Sequence, residues 1–294
     1  MPRYWRDYAL TDWARLRPLT HRVKTTRYRV VDALYRRRSA AFGNTRELIS
    51  RIHKRRLVVT IAFADPLALG WQIALVRHYV PNVLHVVVDN SASDSEAEMV
   101  RLVAVGQGIP YLRCPRNPWV GNASRSHGIA LNWVWHNLVR PGRPEAFGFI
   151  DDDLFPTAVD DPFAPLAEQS VYGLIRTVRA RWFLWAGFCF FRYDAVHDKR
   201  LDFGQDWFIG LDTGGGNWTP IYSQLNRDQL HEPTTEFFPF KSEVELDDGP
   251  LQWCGTWLHE IGNMGRPELV VEKRRTLAEM LSPHLGAAGY SRTS

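Results

Sequence analysis

Short apolar runs recur along the first half of the chain, three of them closed by an acidic turn. Leu57-Val58-Val59-Thr60-Ile61-Ala62-Phe63 ends at Ala64-Asp65-Pro66, and Val83 to Val88 ends at Asp89-Asn90-Ser91. Ala146 to Ile150 runs into Asp151-Asp152-Asp153, and Ile109 to Arg113 is a shorter run of the same kind. Continuous apolar runs of this length suit strands buried on both faces. Between them lie helix-length segments at 67–79 and 94–106, and a third that starts at Gly121-Asn122-Ala123-Ser124 and reaches about Val139. Regular alternation of strand and helix predicts an α/β fold, a Rossmann-like and mostly parallel sheet flanked by helices.

The pattern changes on either side of this block. Residues 1–55 read as helical and partly amphipathic, and form an N-terminal arm. After residue 156, Val171 to Val178 and Phe183 to Tyr193 read as strands without long helices between them. The chain therefore divides into an arm (1–55), an α/β half (56–160) and a mixed half (161–294) of the same domain.

Charge sharpens the division. The 294 residues carry a net +4, yet residues 1–56 hold 16 basic and 4 acidic residues, a net +12, and the remainder holds a net −8. A basic arm precedes an acidic body. Such an arm is either a solvated helical face packed on the body or a contact for an anionic surface, such as the inner leaflet of a membrane or a phosphorylated acceptor. Its arginines come with no nucleic-acid-binding motif, which argues against a nucleic-acid partner. Three scattered cysteines with no CxxC pair argue against a disulfide scaffold or zinc site and for a reducing, cytoplasmic compartment. The Arg- and Trp-studded N-terminus does not read as a secretory leader. The longest apolar stretch, Trp182 to Phe191, is too short for a span of about 20 residues.

The acidic strand ends carry the chemistry. Ligands of open α/β sheets bind at the carboxyl ends of the strands. Three adjacent carboxylates repel one another unless a cation compensates them. Hard divalent cations take such oxygen ligands and complete their shell with substrate phosphates. Strand alternation puts Asp151 and Asp153 on one side and Asp152 on the other.

Phe149-Ile150-Asp151-Asp152-Asp153 resembles the DxD region of GT-A glycosyltransferases, particularly the large family 2 group. Asp89-Asn90-Ser91-Ala92-Ser93-Asp94 resembles that family's D-[DN]-x-S-x-D turn. Gly121 to Gly128 resembles its A-R-N-x-G helix start, with Ser124 and Ser126 in place of Ala and Asn. Trp185 to Arg192 resembles its G-G-x-x-x-F-R strand beside the acceptor. The resemblance covers roughly residues 57–225. It implies a GT-A fold whose half 56–160 binds a nucleotide sugar and whose half 161–294 binds the acceptor and carries catalysis. It also implies metal-dependent, inverting transfer from a UDP-, GDP- or TDP-linked donor, with Mn²⁺ or Mg²⁺, to a saccharide or glycolipid hydroxyl, as in surface polysaccharide synthesis.

The resemblance also assigns residues. Ala62, Phe63 and Asp65 would border the base, Asp89 would hold its edge, and Arg125 would approach the base or diphosphate from a helix N-terminus. Asp151 would contact the ribose, with Asp152 beside it, and Asp153 would bind the metal together with Asp151. Inverting transfer needs a carboxylate to take the acceptor's proton. Asp212, in Leu211-Asp212-Thr213-Gly214-Gly215-Gly216-Asn217, stands where the family has its E-D motif, with Leu211 in place of Glu; Asp206 is the second choice. His259 would complete the metal shell, and the loop Gly262-Asn263-Met264-Gly265 would close over the donor phosphates. Trp182, Trp185, Trp207, Trp218, Trp253 and Trp257 supply rings for sugar stacking or for the core. Two other classes remain beside this one. A nucleotidyltransferase would need a Gly-rich basic loop where Ala64-Asp65-Pro66-Leu67 stands. A non-catalytic nucleotide- or anion-binding module would not need the intact acidic triplet.

Overall fold

The computed structural model describes residue 5 and residues 8–206, 210–238, 251–261 and 267–290. In chain order the strands are β1 (Arg56–Ala62), β2 (Leu84–Asp89), β3 (Tyr111–Arg113), β4 (Ala146–Asp151), β5 (Leu154–Pro156), β6 (Val171–Val178), β7 (Arg181–Arg192), β8 (Thr235–Phe238), β9 (Leu251–Cys254) and β10 (Trp257–Glu260). Six form the main sheet, in the order β3-β2-β1-β4-β7-β6. The strands β3, β2, β1 and β4 run parallel, and β7 turns against β4. Register aligns Ala62 with Asp89 and Ile61 with Asp151, so the acidic strand ends meet along one edge.

The main helices are α1 (Leu10–Ala14), α2 (Arg17–Arg36), α3 (Thr45–Ile52), α4 (Pro66–Tyr79), α5 (Asp94–Gly106) and α6 (Ala123–Val134). Each of the last three starts at a side-chain cap. Asp65 accepts from the Ala68 amide at 2.9 Å, Ser93 forms a capping box with Glu96, and Asn122 accepts from the Arg125 amide at 3.0 Å. These caps satisfy amides that a helix start leaves unpaired. The expected end near Val139 is reached through a π-helical turn, Trp135–Val139. Leu57, Val59 and Ile61 pack toward α6 on one face of β1. Val58 and Ala62 pack toward α4 on the other.

One feature was not visible in the hydrophobic pattern. A second, antiparallel sheet runs β5-β10-β9-β8 and joins the triplet's turn to the late part of the chain. The arm packs on the body, one of the two arrangements its charge pattern left open. The Tyr35 hydroxyl donates to the Pro115 carbonyl and the Trp133 indole to the Arg38 carbonyl, each at 2.9 Å. Beyond α2 the chain pairs with β3 through Phe42 and Arg113, which covers that sheet edge. Among the described residues no helix is long and apolar enough to cross a membrane.

Candidate active site

The triplet sits where β4 gives way to a turn, and α4 holds that turn. The Gln72 side chain donates to the carbonyls of Asp151 at 2.6 Å and Leu154 at 2.8 Å. Its own oxygen accepts from Thr60, which also contacts the His85 imidazole, so a buried polar chain ties β1, β2 and α4 to the triplet. Because the chain leaves the strand at residue 152, strand alternation stops there. All three carboxylates line one cavity of about 240 Å³, and Asp152 does not turn away. Asp152 also accepts from the Phe63 amide at 2.8 Å, which fixes the end of β1 to the triplet.

Two imidazoles reach the triplet. His127 Nε2 lies 3.1 Å from Asp151 Oδ1, and His259 Nε2 lies 3.7 Å from Asp153 Oδ1. His259 arrives on β10, paired opposite Leu154 of β5, and its ring lies 4.6 Å from that of Trp185. Burial lowers His127 to about 4, against a smaller opposing pull from Asp212. Burial, then Arg176 and Lys273, lower His259 to about 3. Both rings are therefore neutral at physiological pH, with a lone pair to offer.

The carboxylates shift the other way. Burial and then Asp212 push Asp151 up to about 7. Burial and then Asp153 raise Asp152 well above the usual carboxylate range, and burial followed by Asp151 and Glu260 raises Asp153 likewise. Crowded buried anions of this kind call for a cation. His127 Nε2, Asp153 Oδ1 and His259 Nδ1 are buried without a hydrogen-bond partner among the described residues. Carboxylate with neutral imidazole suits a manganese-like ion, so Asp153 and His259 fit the expected metal. Among the described residues no three such groups stand ready as a shell, and donor phosphates and water would have to complete it.

A glycine makes room for Asp151. A Cβ on Gly187, in β7, would meet Asp151 Oδ2 at 2.5 Å and the Trp185 ring at 2.3 Å. Gly187→Ala is expected to displace both groups and to cost roughly 1–3 kcal/mol of stability by overpacking. A thermal melt checks this.

The other expected residues divide. Phe63, Asp151, Asp152, Asp153 and Asp212 line the cavity. Asp212 is exposed at its mouth and accepts from the Thr213 amide at 2.8 Å, while Thr213 Oγ1 donates to the Ser124 carbonyl at 3.0 Å and ties this segment to α6. Ala62 is buried in the α4 face. Asp89 is fully buried and does not line the cavity: Ser91 and Tyr111 donate to its oxygens. Its neighbour Asn90 lines the cavity instead, held by Ser126 at 3.0 Å and Asn117 at 2.8 Å. Asp65 is engaged in capping α4 and in an ion pair with Arg274. Asp206 lines a separate, smaller cavity beside Asp32 and lies 3.9 Å from Arg181.

Arg125 also departs from expectation. Its guanidinium turns away from the triplet to Asp32 of α2 at 3.0 Å, beneath the Tyr28 ring at 3.7 Å. Its main chain opens α6 as expected, but the arm supplies a half-buried anion and an aromatic face that claim the side chain. Arg125→Ala is expected to cost about 1–3 kcal/mol of stability, because it leaves the half-buried Asp32 without its partner. Denaturant unfolding measures this.

Sequence reasoning missed His127, which occupies the variable x of the Gly121–Gly128 run. It also missed Arg274, which pairs with the fully buried Glu260 at 2.6 Å and reaches Asp65 from the helix Pro267–Ala287. Trp182 and Trp257 are core residues, whereas Trp185 lines the cavity. Trp207 and the loop 262–265 lie outside the described residues.

No protein-family model matches the chain, and no curated protein sequence does. Several solved structures resemble it. The mannosyltransferase PcManGT from Pyrobaculum calidifontis, in complex with GDP-Man and Mn²⁺, aligns at 13% identity over 60% of this chain and 59% of its own, with a TM-score of 0.38. TarS of S. aureus aligns at 13% identity over 51% of this chain and 30% of its own, with a TM-score of 0.34. The bifunctional glycosyltransferase WbbM in its apo form aligns at 13% identity over 47% and 31%, with a TM-score of 0.30. The chain spans less than two thirds of each of them, and the scores are too low to carry a functional assignment.

Proposed function

We propose that the chain is a GT-A-type glycosyltransferase, which moves a sugar from a nucleoside-diphosphate donor to an acceptor hydroxyl with inversion. The observation that carries this reading is the convergence of Asp151, Asp152 and Asp153 with His127 and His259 in one cavity at the carboxyl edge of the parallel strands. Phe63 and the amide-bearing floor around Asn90 border the base. Asp151, with His127 beside it, takes the ribose. Asp153 and His259 hold a divalent cation. When bound, that ion supplies positive charge for the diphosphate and makes it a better leaving group.

The remaining roles fall to groups at the mouth. Asp212, oriented by the Thr213 amide, takes the proton from the attacking hydroxyl. Trp185, its ring tilted against that of His259, offers a face to the transferred sugar and keeps water from the anomeric carbon. The acceptor is a saccharide or glycolipid. Calorimetric titration with UDP, GDP and TDP, with and without Mn²⁺, tests the reading. One of the three should bind, and Mn²⁺ should tighten it. Absence of binding to every nucleotide would overturn the assignment in favour of a module without this activity.

A further inference from the structure

The helix α2 has a second apolar face that the body does not use. Its inner face buries Pro18, His21 and Tyr35 against the body. On the outer face Leu19, Val23, Val30 and Leu34 are 51%, 71%, 53% and 55% exposed. At about 100° per residue these four fall within a stripe roughly 60° wide. Exposed apolar residues scattered singly need no explanation, but a continuous stripe along one helix does. Leu10 and Leu16, also exposed, extend the apolar surface past the N-terminus of α2.

The flanks of the stripe are cationic. Arg22 and Arg29 border it on one side and Arg27 on the other, and Arg37 continues its line beyond Leu34; all four are exposed. Among the described residues the carboxylates of this segment do not offset them, because Asp12 pairs with Arg17 and Asp32 faces inward to Arg125. Trp5 stacks on Trp13 at 5.2 Å, with the Arg22 guanidinium 3.8 Å above the Trp5 ring. Arginines that snorkel around an apolar strip, with tryptophan at one end, match the boundary between acyl chains and anionic headgroups. A second copy of the chain would have to set these arginine rows against themselves. A nucleic acid would leave the apolar strip against water.

We propose that the outer face of α2 docks the protein on an anionic phospholipid bilayer, with Leu19, Val23, Val30 and Leu34 entering the headgroup boundary. The inner contacts hold α2 on the body, so the face is presented preformed. This surface is distinct from the carboxylate cavity and does not depend on the sugar-transfer reading.

Cosedimentation of the full chain with vesicles tests it. Phosphatidylcholine vesicles doped with phosphatidylglycerol should bind the chain, and added salt should weaken binding. Pure phosphatidylcholine vesicles should not bind it. The double variant Val23→Glu/Val30→Glu should fall to the level of the neutral vesicles with its thermal midpoint unchanged, since both positions are exposed. Arg22→Gln/Arg27→Gln should weaken partition about 30-fold, and tests the charge contribution even if the glutamates disturb α2. Equal binding to neutral vesicles, or full binding by either double variant, would overturn the proposal. So would a dimer in vesicle-free buffer that the glutamate variant dissolves, because the stripe would then belong to a second copy.

Discussion

Asp153→Asn is expected to lower metal-stimulated donor hydrolysis and sugar transfer about a thousandfold, while raising the melting temperature of the metal-free protein. The two effects have one cause. Asp153 is half-buried beside Asp151 and Glu260 with its Oδ1 fully enclosed, and an uncompensated anion there destabilises the fold. An amide keeps the shape, removes the charge, and gives up the metal's affinity. Asp151 sets the pH window. Its folded pKa, about 7, lies above the usual 3.8, so the folded state binds its proton more tightly. That stabilisation is complete below about 4 and is lost as the pH rises through about 7. Relative to an Asp151→Asn variant, the metal-free protein should therefore lose melting temperature as the pH rises across that window, and Mn²⁺ should reverse the loss at neutral pH. Nucleotide release assays and scanning calorimetry at several pH values read both effects. Unchanged activity in the variant would remove the triplet from the mechanism.

Asp212→Asn is expected to lower kcat by 10²–10⁴-fold, the usual contribution of a general base, with donor KM and Mn²⁺ dependence close to those of the unaltered protein. Asp212 is exposed at the cavity, with the Thr213 amide donating to it at 2.8 Å and the Gln205 side chain at 3.4 Å, and among the described residues no ion pair engages it. Asp206→Asn, in the neighbouring cavity, should leave kcat close to that of the unaltered protein. A large kcat loss in Asp206→Asn with a small one in Asp212→Asn would exchange their roles.

The strands and helices that build the carboxyl edge were legible because each is encoded locally. The segment Arg56–Ala62 is buried on both sides and carries a continuous apolar run, while α5 opens with its own capping box. The triplet was legible for the same reason: three acids follow a buried strand without interruption. Roles that depend on a distant partner were not. Asp89 and Asp65 look like ligands at their strand ends until Tyr111 and Arg274 occupy them. Arg125 looks free until Asp32, far upstream, takes it. His127 gave no signal of its own, since one histidine in a helix start says nothing until the fold sets it against Asp151. The antiparallel sheet joins short strands that are far apart in sequence, so no single window revealed it.

That sheet also sets the order in which the site can form during synthesis. The chain emerges from its N-terminus, so β1, β2 and β4 are available to pair long before β10 exists. Until then the turn at Asp151-Asp152-Asp153 lacks His259, and Asp65 lacks Arg274, a residue 209 positions further on. The nascent protein would hold a nearly complete main sheet around an acidic cluster with nothing to balance it. Bringing those last residues home requires closure of a very long loop, which is slow. Refolding should therefore be faster in its early, sheet-forming phase than in recovery of nucleotide binding, with Mn²⁺ shortening the interval between them.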